Sequence, residues 1–233
     1  MSASKEDILF DLEQGWSKGL SIQFLSARSS AKFDLSNCSV VKQVHGDSIV
    51  DWKNAGNPGV ASVEADGIFA TGDQFANSKK KMIVKTADCM PLVYVDRIKE
   101  TVVIVHAGWR GLAQGIHLAP FERGLCTPRD TWMWLGPCLN GDSFQVRSDM
   151  WEQFPEHQNN PKYFRVDPKD ESIRYFNSWD FVSDQLTGAG VELFYNVEVD
   201  TLTTRAFVSW RRAQKAGIEK LKVQNLTVVG FHK

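Results

Sequence analysis

The stretch "TVVIVHAGWRG" (Thr101–Gly111) joins a run of β-branched residues to a turn rich in glycine. A continuous β-branched run offers no polar side to water, so it predicts a strand that is buried on both faces. His106 then lies at the end of this strand, and Gly108 and Gly111 permit tight backbone turns beside it. The next segment can begin a helix, whose free N–H groups favour an anion. This arrangement is typical of ligand sites in α/β sheets.

Short runs rich in valine and isoleucine recur along the chain, and their length and composition favour strands. The other runs of this kind are "SIQFL", "CSVVKQV", "DGIFA", "KMIVKTA", "PLVYVD", "TWMWLG", "KYFRVD", "VELFYN", "RAFVSW" (205–210) and "LKVQNLTVVGF". Fewer segments predict helices, namely 110–125, 148–154 and 176–190. This mixture of many strands and few helices indicates an α+β or layered α/β fold.

The composition is that of an ordinary globular protein of 233 residues, with 27 basic and 28 acidic residues. This balance gives no electrostatic footprint for nucleic acid or an anionic membrane, so we expect a small-molecule substrate. The N-terminal "MSASKEDILFDLEQ" lacks the apolar core of a signal peptide, and no apolar run approaches the roughly 20 residues that cross a bilayer. We therefore expect a cytoplasmic protein, monomeric or weakly homo-oligomeric, whose four cysteines are free thiols or ligands.

Two other apolar stretches stop at potential metal ligands. One ends at His45, and another is broken at Asp88 and Cys89. Imidazole nitrogen and thiolate sulfur suit Zn²⁺, and three protein ligands leave a fourth position open, as in catalytic zinc sites. The spacing of His45, Cys89 and His106 matches no short zinc signature. From the residues alone, each histidine could instead be an ordinary hydrogen-bonded polar residue, and the cysteine could simply pack in the core. We interpret the remaining histidines as surface residues: His117, His157 and His232.

Six motifs stand in order along the chain: "KQVHG", "ADGIFAT", "KTADCMPLVYVD", "HAGWRG", "GPCLNGDSFQV" and "FVSWRR". They resemble the motifs of the laccase-domain, or YfiH-like, family, also called the polyphenol oxidase or purine nucleoside phosphorylase family. The resemblance implies one layered α/β domain over residues 1–233, with mixed sheets flanked by helices. It also implies that His45, Cys89 and His106 bind a metal, expected to be Zn²⁺ with copper as an alternative. The segment before Cys38 matches poorly and keeps only Arg28, in "FLSAR", as a counterpart of the family's early arginine.

The resemblance further implies a zinc-dependent purine nucleoside enzyme with two reactions. In phosphorolysis of adenosine, inosine or methylthioadenosine, phosphate attacks the ribose C1′, and Arg110 and Arg28 are expected to bind it through their planar guanidinium groups. In deamination of adenosine, zinc activates water, and Asp88, next to Cys89, is a candidate proton shuttle. Asp88 could instead orient a histidine, and Arg110 could instead lock its turn through a salt bridge. The predicted catalytic residues are therefore Asp88, Cys89 and Arg110.

Other functions stay open at this stage. Copper-dependent oxidation of phenols needs several copper ions, and a chain with five histidines offers few beyond the three-ligand group. A structural metal would be closed by a fourth protein ligand, for which Cys138 is the candidate. Related proteins are also implicated in peptidoglycan quality control, so an editing hydrolase that acts on peptidoglycan precursors is a further alternative.

Overall fold

The computed structural model describes residues 6–57 and 63–232. The strands in these residues are β1 (Asp7–Asp11), β2 (Leu20–Leu25), β3 (Cys38–Ser39), β4 (Ile49–Asp51), β5 (Gly67–Thr71), β6 (Lys81–Thr86), β7 (Met90–Asp96), β8 (Thr101–Ala107), β9 (Thr131–Leu135), β10 (Gln145–Val146), β11 (Phe164–Val166), β12 (Arg174–Phe176), β13 (Leu193–Asn196) and β14 (Asn225–Phe231). The helices are α1 (Ala27–Ser30), α2 (Gly72–Ser78), α3 (Trp109–Ala113), α4 (Ala119–Glu122), α5 (Ser148–Trp151), α6 (Ser178–Gly188) and α7 (Trp210–Lys215).

The strands form three sheets. A five-stranded sheet has the order β1-β2-β14-β6-β3, a six-stranded sheet has the order β13-β9-β7-β8-β5-β4, and a small sheet has the order β10-β12-β11. Most neighbouring strands are antiparallel, but β3 and β6, β4 and β5, and β9 and β13 pair in parallel. The two larger sheets are therefore mixed.

The central strands β7 and β8 are buried on both faces, because successive side chains of a strand point to opposite sides of its sheet. One face packs against the five-stranded sheet through Val93, Val95, Val102 and Ile104. The other face packs against helices and the small sheet through Leu92, Tyr94, Val103 and Val105. Each fully buried aliphatic side chain contributes about 1.5–3 kcal/mol of transfer free energy. The layered α/β fold of mixed sheets flanked by helices is thereby confirmed, and so is the burial of the whole of Thr101–Ala107.

Three predicted elements differ most from the structure. The predicted strand "CSVVKQV" is a strand only over Cys38–Ser39. The predicted helix 110–125 is interrupted, because α3 ends at Ala113 and Gly115 then adopts a φ of 84° before α4 begins. The predicted strand 205–210 is a turn that leads into α7. Its Val208 N–H and C=O both bond the side chain of Asn225, at 2.7 and 2.9 Å. Since a distant side chain satisfies this backbone, the segment does not pair with a strand.

The helices in the described part of the chain are all too short or too polar to span a bilayer. All four cysteines are free, as predicted: Cys38, Cys89, Cys126 and Cys138.

Candidate metal centre and adjoining cavities

Three side chains of the ligand type meet at one end of the six-stranded sheet. His106 belongs to β8, Cys89 lies in the turn between β6 and β7, and His45 lies in the loop after β3. Pro91 pairs with His106 across β7 and β8, which brings Cys89 close to that histidine. The ligand atoms all lie within 4.8 Å of one another, and His45 Nε2 is 3.8 Å from Cys89 Sγ. The group could therefore hold a metal ion.

The loop residue His45 has a left-handed backbone conformation, with a φ of 64°. It does not end a strand, because β3 stops at Ser39. Left-handed φ is uncommon for a residue with a Cβ, and histidine is among the residues that adopt it more often. The conformation turns the imidazole of His45 towards Cys89 and His106, with the two imidazole ring centres 4.8 Å apart.

A fully buried carboxylate, Asp66, holds both histidines in place. Its Oδ1 accepts hydrogen bonds from His45 N–H at 3.0 Å and His106 Nδ1 at 2.8 Å, and its Oδ2 accepts from Val44 and Gly46 N–H at 3.2 and 2.7 Å. A carboxylate only accepts, so Nδ1 of His106 carries a proton and Nε2 is the nitrogen that would bind a metal, which would displace any proton held there. Asp66 therefore orients His106, a role that the sequence analysis considered for Asp88.

The electrostatics of the group favour a thiolate. Burial raises the pKa of the Cys89 thiol, but the charge of His106 and hydrogen bonds from both histidines outweigh it and lower this pKa to about 6. Burial likewise lowers the pKa of His106, whereas the Cys89 thiolate and Asp66 raise it to about 9. A thiolate with two imidazoles is a donor set that Zn²⁺ prefers, and copper also accepts it. The residues present therefore fit either metal.

Gly108 is required by the space around the group. A Cβ at this position would lie 2.7 Å from His45 Cδ2 and 3.3 Å from Cys89 Sγ. Gly111 similarly lies against the backbone of the ligand loop, since its Cβ would be 2.8 Å from the carbonyl oxygen of Gly46. The glycine turn after β8 thus lets two chain segments approach the ligands closely.

Two cavities flank the group, and both are bordered by His45, Cys89 and Trp210. The first cavity has a volume of about 280 Å³ and is the more enclosed. It is also lined by Asp88, Trp109, Arg110, Leu112, Cys138, Leu139, Phe144, Ser178, Arg211 and Gln214, among others. The second cavity, of about 580 Å³, is lined further by Val41, Gln43, Lys85, Ala87, His106, Leu221 and Gln224. A small molecule in the first cavity would touch both the ligand group and two arginines.

The two predicted phosphate-binding arginines are separated. Arg110 lines the first cavity, and its guanidinium lies 4.2 Å from the centre of the Trp109 ring. Arg110 forms no salt bridge with any described residue, so the structure does not show the ion pair that could have locked its turn. Arg28 lies in the exposed helix α1, where its guanidinium faces Glu6 at 3.9 Å, and it lines neither cavity beside the ligands. The structure therefore does not bring Arg28 to the candidate site.

Asp88 lines the first cavity, and its carboxylate connects distant parts of the chain. Its backbone is left-handed, with a φ of 89°. Oδ1 accepts a hydrogen bond from Thr201 Oγ1 at 2.6 Å, and Oδ2 accepts one from the Arg211 N–H at 2.6 Å. The turn that carries Cys89 is thereby tied to the start of α7.

Cys138 lies on the wall of the first cavity but outside the three-residue ligand group. Its Sγ accepts a hydrogen bond from Trp179 Nε1 at 3.1 Å and lies 3.8 Å from Ser178 Oγ. Burial raises the pKa of this thiol to about 12. A thiol held protonated in this way is not poised to close the group as a fourth ligand.

The interpretation of His117 as a surface residue is wrong. Its side chain is buried, and neither ring nitrogen has a hydrogen-bond partner among the described residues. Burial, with a smaller contribution from the charge of His157, lowers its pKa to about 4. His117 is therefore a neutral core residue, packed against Phe181.

Four residues that shape the site were missed in the sequence: Asp66, Trp210, Arg211 and Gln214. An acid directly before a buried strand was the available signal for Asp66, and "FVSWRR" contains Trp210 and Arg211 without indicating that they line the cavity. Nothing in the sequence singles out Gln214.

Residues 23–220 match a family model described as "Multi-copper polyphenol oxidoreductase laccase". The chain belongs to this family. A Haemophilus influenzae protein named purine nucleoside phosphorylase is 26% identical to this laccase-family chain over 189 residues, which are 80% of the chain and 74% of the relative. Escherichia coli YfiH, also named a purine nucleoside phosphorylase, is 27% identical over 178 residues, or 76% of the chain and 69% of YfiH. A crystal structure of a Neisseria meningitidis protein has the same fold, with a TM-score of 0.76 at 18% identity over 98% of this chain and 100% of that one.

Proposed function

We propose that this protein is a zinc-dependent purine nucleoside enzyme that phosphorolyses adenosine, inosine or methylthioadenosine and deaminates adenosine. The observation that carries the proposal is the grouping of His45, Cys89 and His106 beside a cavity that Arg110 also lines. Relatives named purine nucleoside phosphorylase support the same substrate class.

His45, Cys89 and His106 would hold the zinc ion, and Asp66 would keep His106 in the tautomer that binds it. Bound there, zinc would supply Lewis-acid chemistry at the wall of the first cavity, which His45 and Cys89 line. Copper is the alternative metal, because the same thiolate and imidazoles accept it.

Arg110 is the proposed phosphate-binding residue. Its guanidinium lines the cavity without a carboxylate partner in the described residues, so its N–H groups are available to the phosphate oxygens. In the reaction, a phosphate oxygen forms a bond to C1′ while the bond from C1′ to N9 breaks. The electron pair leaves with N9, which takes up the proton that the attacking hydrogen phosphate loses. The products are the free base and the sugar 1-phosphate, which is ribose 1-phosphate for adenosine and inosine.

For deamination we propose Asp88 as the proton carrier. Water adds to C6 and ammonia leaves, so a proton must move from the water to the departing amine. Each oxygen of the Asp88 carboxylate accepts one hydrogen bond and keeps one lone pair, and the residue lines the cavity. A purely positioning role, through the Arg211 N–H, is the alternative.

The test is to incubate the zinc-loaded protein with adenosine, inosine and methylthioadenosine, with and without phosphate, and to resolve adenine, hypoxanthine and inosine. Phosphate-dependent release of a base supports phosphorolysis, and inosine formed from adenosine supports deamination. Arg110→Lys keeps the charge but loses the planar fork, so phosphorolysis should fall at least about tenfold, or about 1.4 kcal/mol. Arg28→Lys is the matched control and should keep the wild-type rate. An unchanged rate for Arg110→Lys below phosphate saturation would exclude the assigned role.

Copper-dependent oxidation of phenols is the second candidate, because the matching family model carries that description. A multicopper centre needs several groups of metal ligands. Residues 6–57 and 63–232 contain one group of three potential ligands, His45, Cys89 and His106. Oxygen consumption by the copper-loaded protein with a phenol, absent in Cys89→Ala, would favour the oxidase over the nucleoside enzyme.

A further inference from the structure

Helix α7 presents two side chains to the first cavity. Trp210 is its first residue and Gln214 follows four positions later, so the two lie on one face of the helix. Both line the cavity. Because Asp88 accepts a hydrogen bond from Arg211 N–H, the start of this helix is fixed to the turn that carries Cys89. The two side chains therefore have a defined position relative to the metal group.

Trp210 offers an aromatic face at the cavity wall. Its side chain is 36% exposed, although the ring is large and apolar. The neighbouring Trp109 is less available, because the Arg110 guanidinium already lies over its ring. In the described part of the chain, no aromatic ring or cation packs on Trp210. An exposed indole beside a cavity is suited to stack on a flat heteroaromatic base.

Gln214 offers a neutral amide to the same cavity. The amide forms no hydrogen bond with another group in the described residues, so its donor and its acceptor are both available. An amide can accept from an amino group or, after rotation by half a turn, donate to a carbonyl oxygen. These are the groups that distinguish C6 of adenosine from C6 of inosine.

We propose that Trp210 and Gln214 form the base-recognition subsite of the first cavity. The indole of Trp210 stacks on the purine, and Gln214 contacts the substituent at C6. This inference rests on the proposed phosphorolysis, in which C1′ must lie near the phosphate that Arg110 binds. Since N9 and C6 lie at opposite ends of the purine, the C6 edge then points away from C1′ and towards α7. One rotatable amide accepts both 6-amino and 6-oxo purines.

The test uses Gln214→Glu, which replaces the rotatable amide with a carboxylate that only accepts hydrogen bonds. A carboxylate pairs with the 6-amino group of adenosine and repels O6 of inosine. We expect kcat/KM for hypoxanthine release from inosine to fall at least about tenfold more than kcat/KM for adenine release from adenosine. Gln214→Leu removes the hydrogen bond to the C6 substituent of either nucleoside, so the two substrates should lose activity by similar factors.

The matched control is Gln224→Glu, an exposed glutamine that lines the second cavity. It should leave the ratio of the two substrates unchanged, and a changed ratio would place the base in the second cavity and overturn the proposal. Binding supplies a readout that does not depend on turnover. Inosine should quench the tryptophan fluorescence of the wild type more than that of Trp210→Leu. In Trp210→Leu the KM for inosine should rise by a larger factor than kcat falls.

The two levels of inference fail in different ways. A wild-type protein that converts both nucleosides, with a substrate ratio that is unaltered in Gln214→Glu, overturns the base subsite and leaves the proposed function standing. A wild-type protein that releases no base and shows no fluorescence change with any nucleoside overturns both.

Discussion

Replacement of Asp66 by asparagine should weaken both the fold and the metal group, because the carboxylate serves four hydrogen-bond donors. Asparagine has one acceptor oxygen, and its NH₂ group must face either the pair at His45 and His106 or the pair at Val44 and Gly46. Two donors then lose their acceptor in either orientation, and apart from Nδ1 of the buried His106 these donors are only part-buried. A buried donor without a partner costs about 1–3 kcal/mol and a part-buried one costs less, so the free energy of unfolding should fall by up to about 2–6 kcal/mol. This is a large part of the roughly 5–15 kcal/mol of a typical domain.

The same variant should bind zinc about 10- to 100-fold more weakly, since the carboxylate behind a histidine ligand fixes its tautomer and orientation. Denaturant unfolding of the zinc-free protein measures the first effect, and competition with a chromophoric chelator measures the second. Asp73→Asn, at an exposed position in α2, is the control for loss of a negative charge. If Asp66→Asn unfolds at the wild-type denaturant concentration and binds zinc with the wild-type Kd, the assigned role of Asp66 is refuted.

Three further outcomes follow from the structure. Gly108→Ala should reduce zinc affinity about 10- to 100-fold in chelator competition, because a Cβ 2.7 Å from His45 Cδ2 must displace the ring by about 1 Å. Gly188→Ala is the control and should match the wild type, since no atom lies within 4 Å of the added Cβ. Cys89→Ala should lose stoichiometric zinc and activity but keep its circular dichroism spectrum, and one zinc retained per chain would contradict the ligand assignment. His117 is buried neutral with a pKa of about 4 against 6.5 for a free histidine, so the unfolded chain binds its proton first as the pH falls. The free energy of unfolding of the wild type should therefore fall by up to about 3 kcal/mol as the pH is lowered from 6.5 to 4. His117→Phe should show a smaller fall when urea unfolding is measured over the same pH range.

The sheet core and two candidate ligands, His106 and Cys89, could be predicted from the sequence because their signals are local. The β-branched run before His106 has no polar side, and it does form a strand that is buried on both faces. The turn at Cys89 was visible as a polar break between two apolar runs, which became β6 and β7. In both cases neighbouring residues along the chain carry the information.

The rest of the site depends on partners that are distant in the sequence. Asp66 and His106 are 40 residues apart, and Asp88 and Arg211 are 123 apart, so no window of the sequence contains either pair. His45 was expected at a strand end, but it lies in a loop whose left-handed turn is stabilised by Asp66. Hydrogen bonds of this kind depend on the completed fold, and periodicity carries no signal for them.

The two carboxylates divide the support of the candidate site between them. Asp66 joins the His45 loop to β8, and Asp88 joins the Cys89 turn to α7, so the ligands and the cavity wall are positioned by hydrogen bonds within the protein. Changes at Asp66 should therefore alter metal affinity, whereas changes at Gln214 should alter substrate choice at unchanged metal content. Because the buried strands supply the core, neither change needs to unfold the sheet, and zinc content and substrate ratio become independent measurements of the two halves of the site.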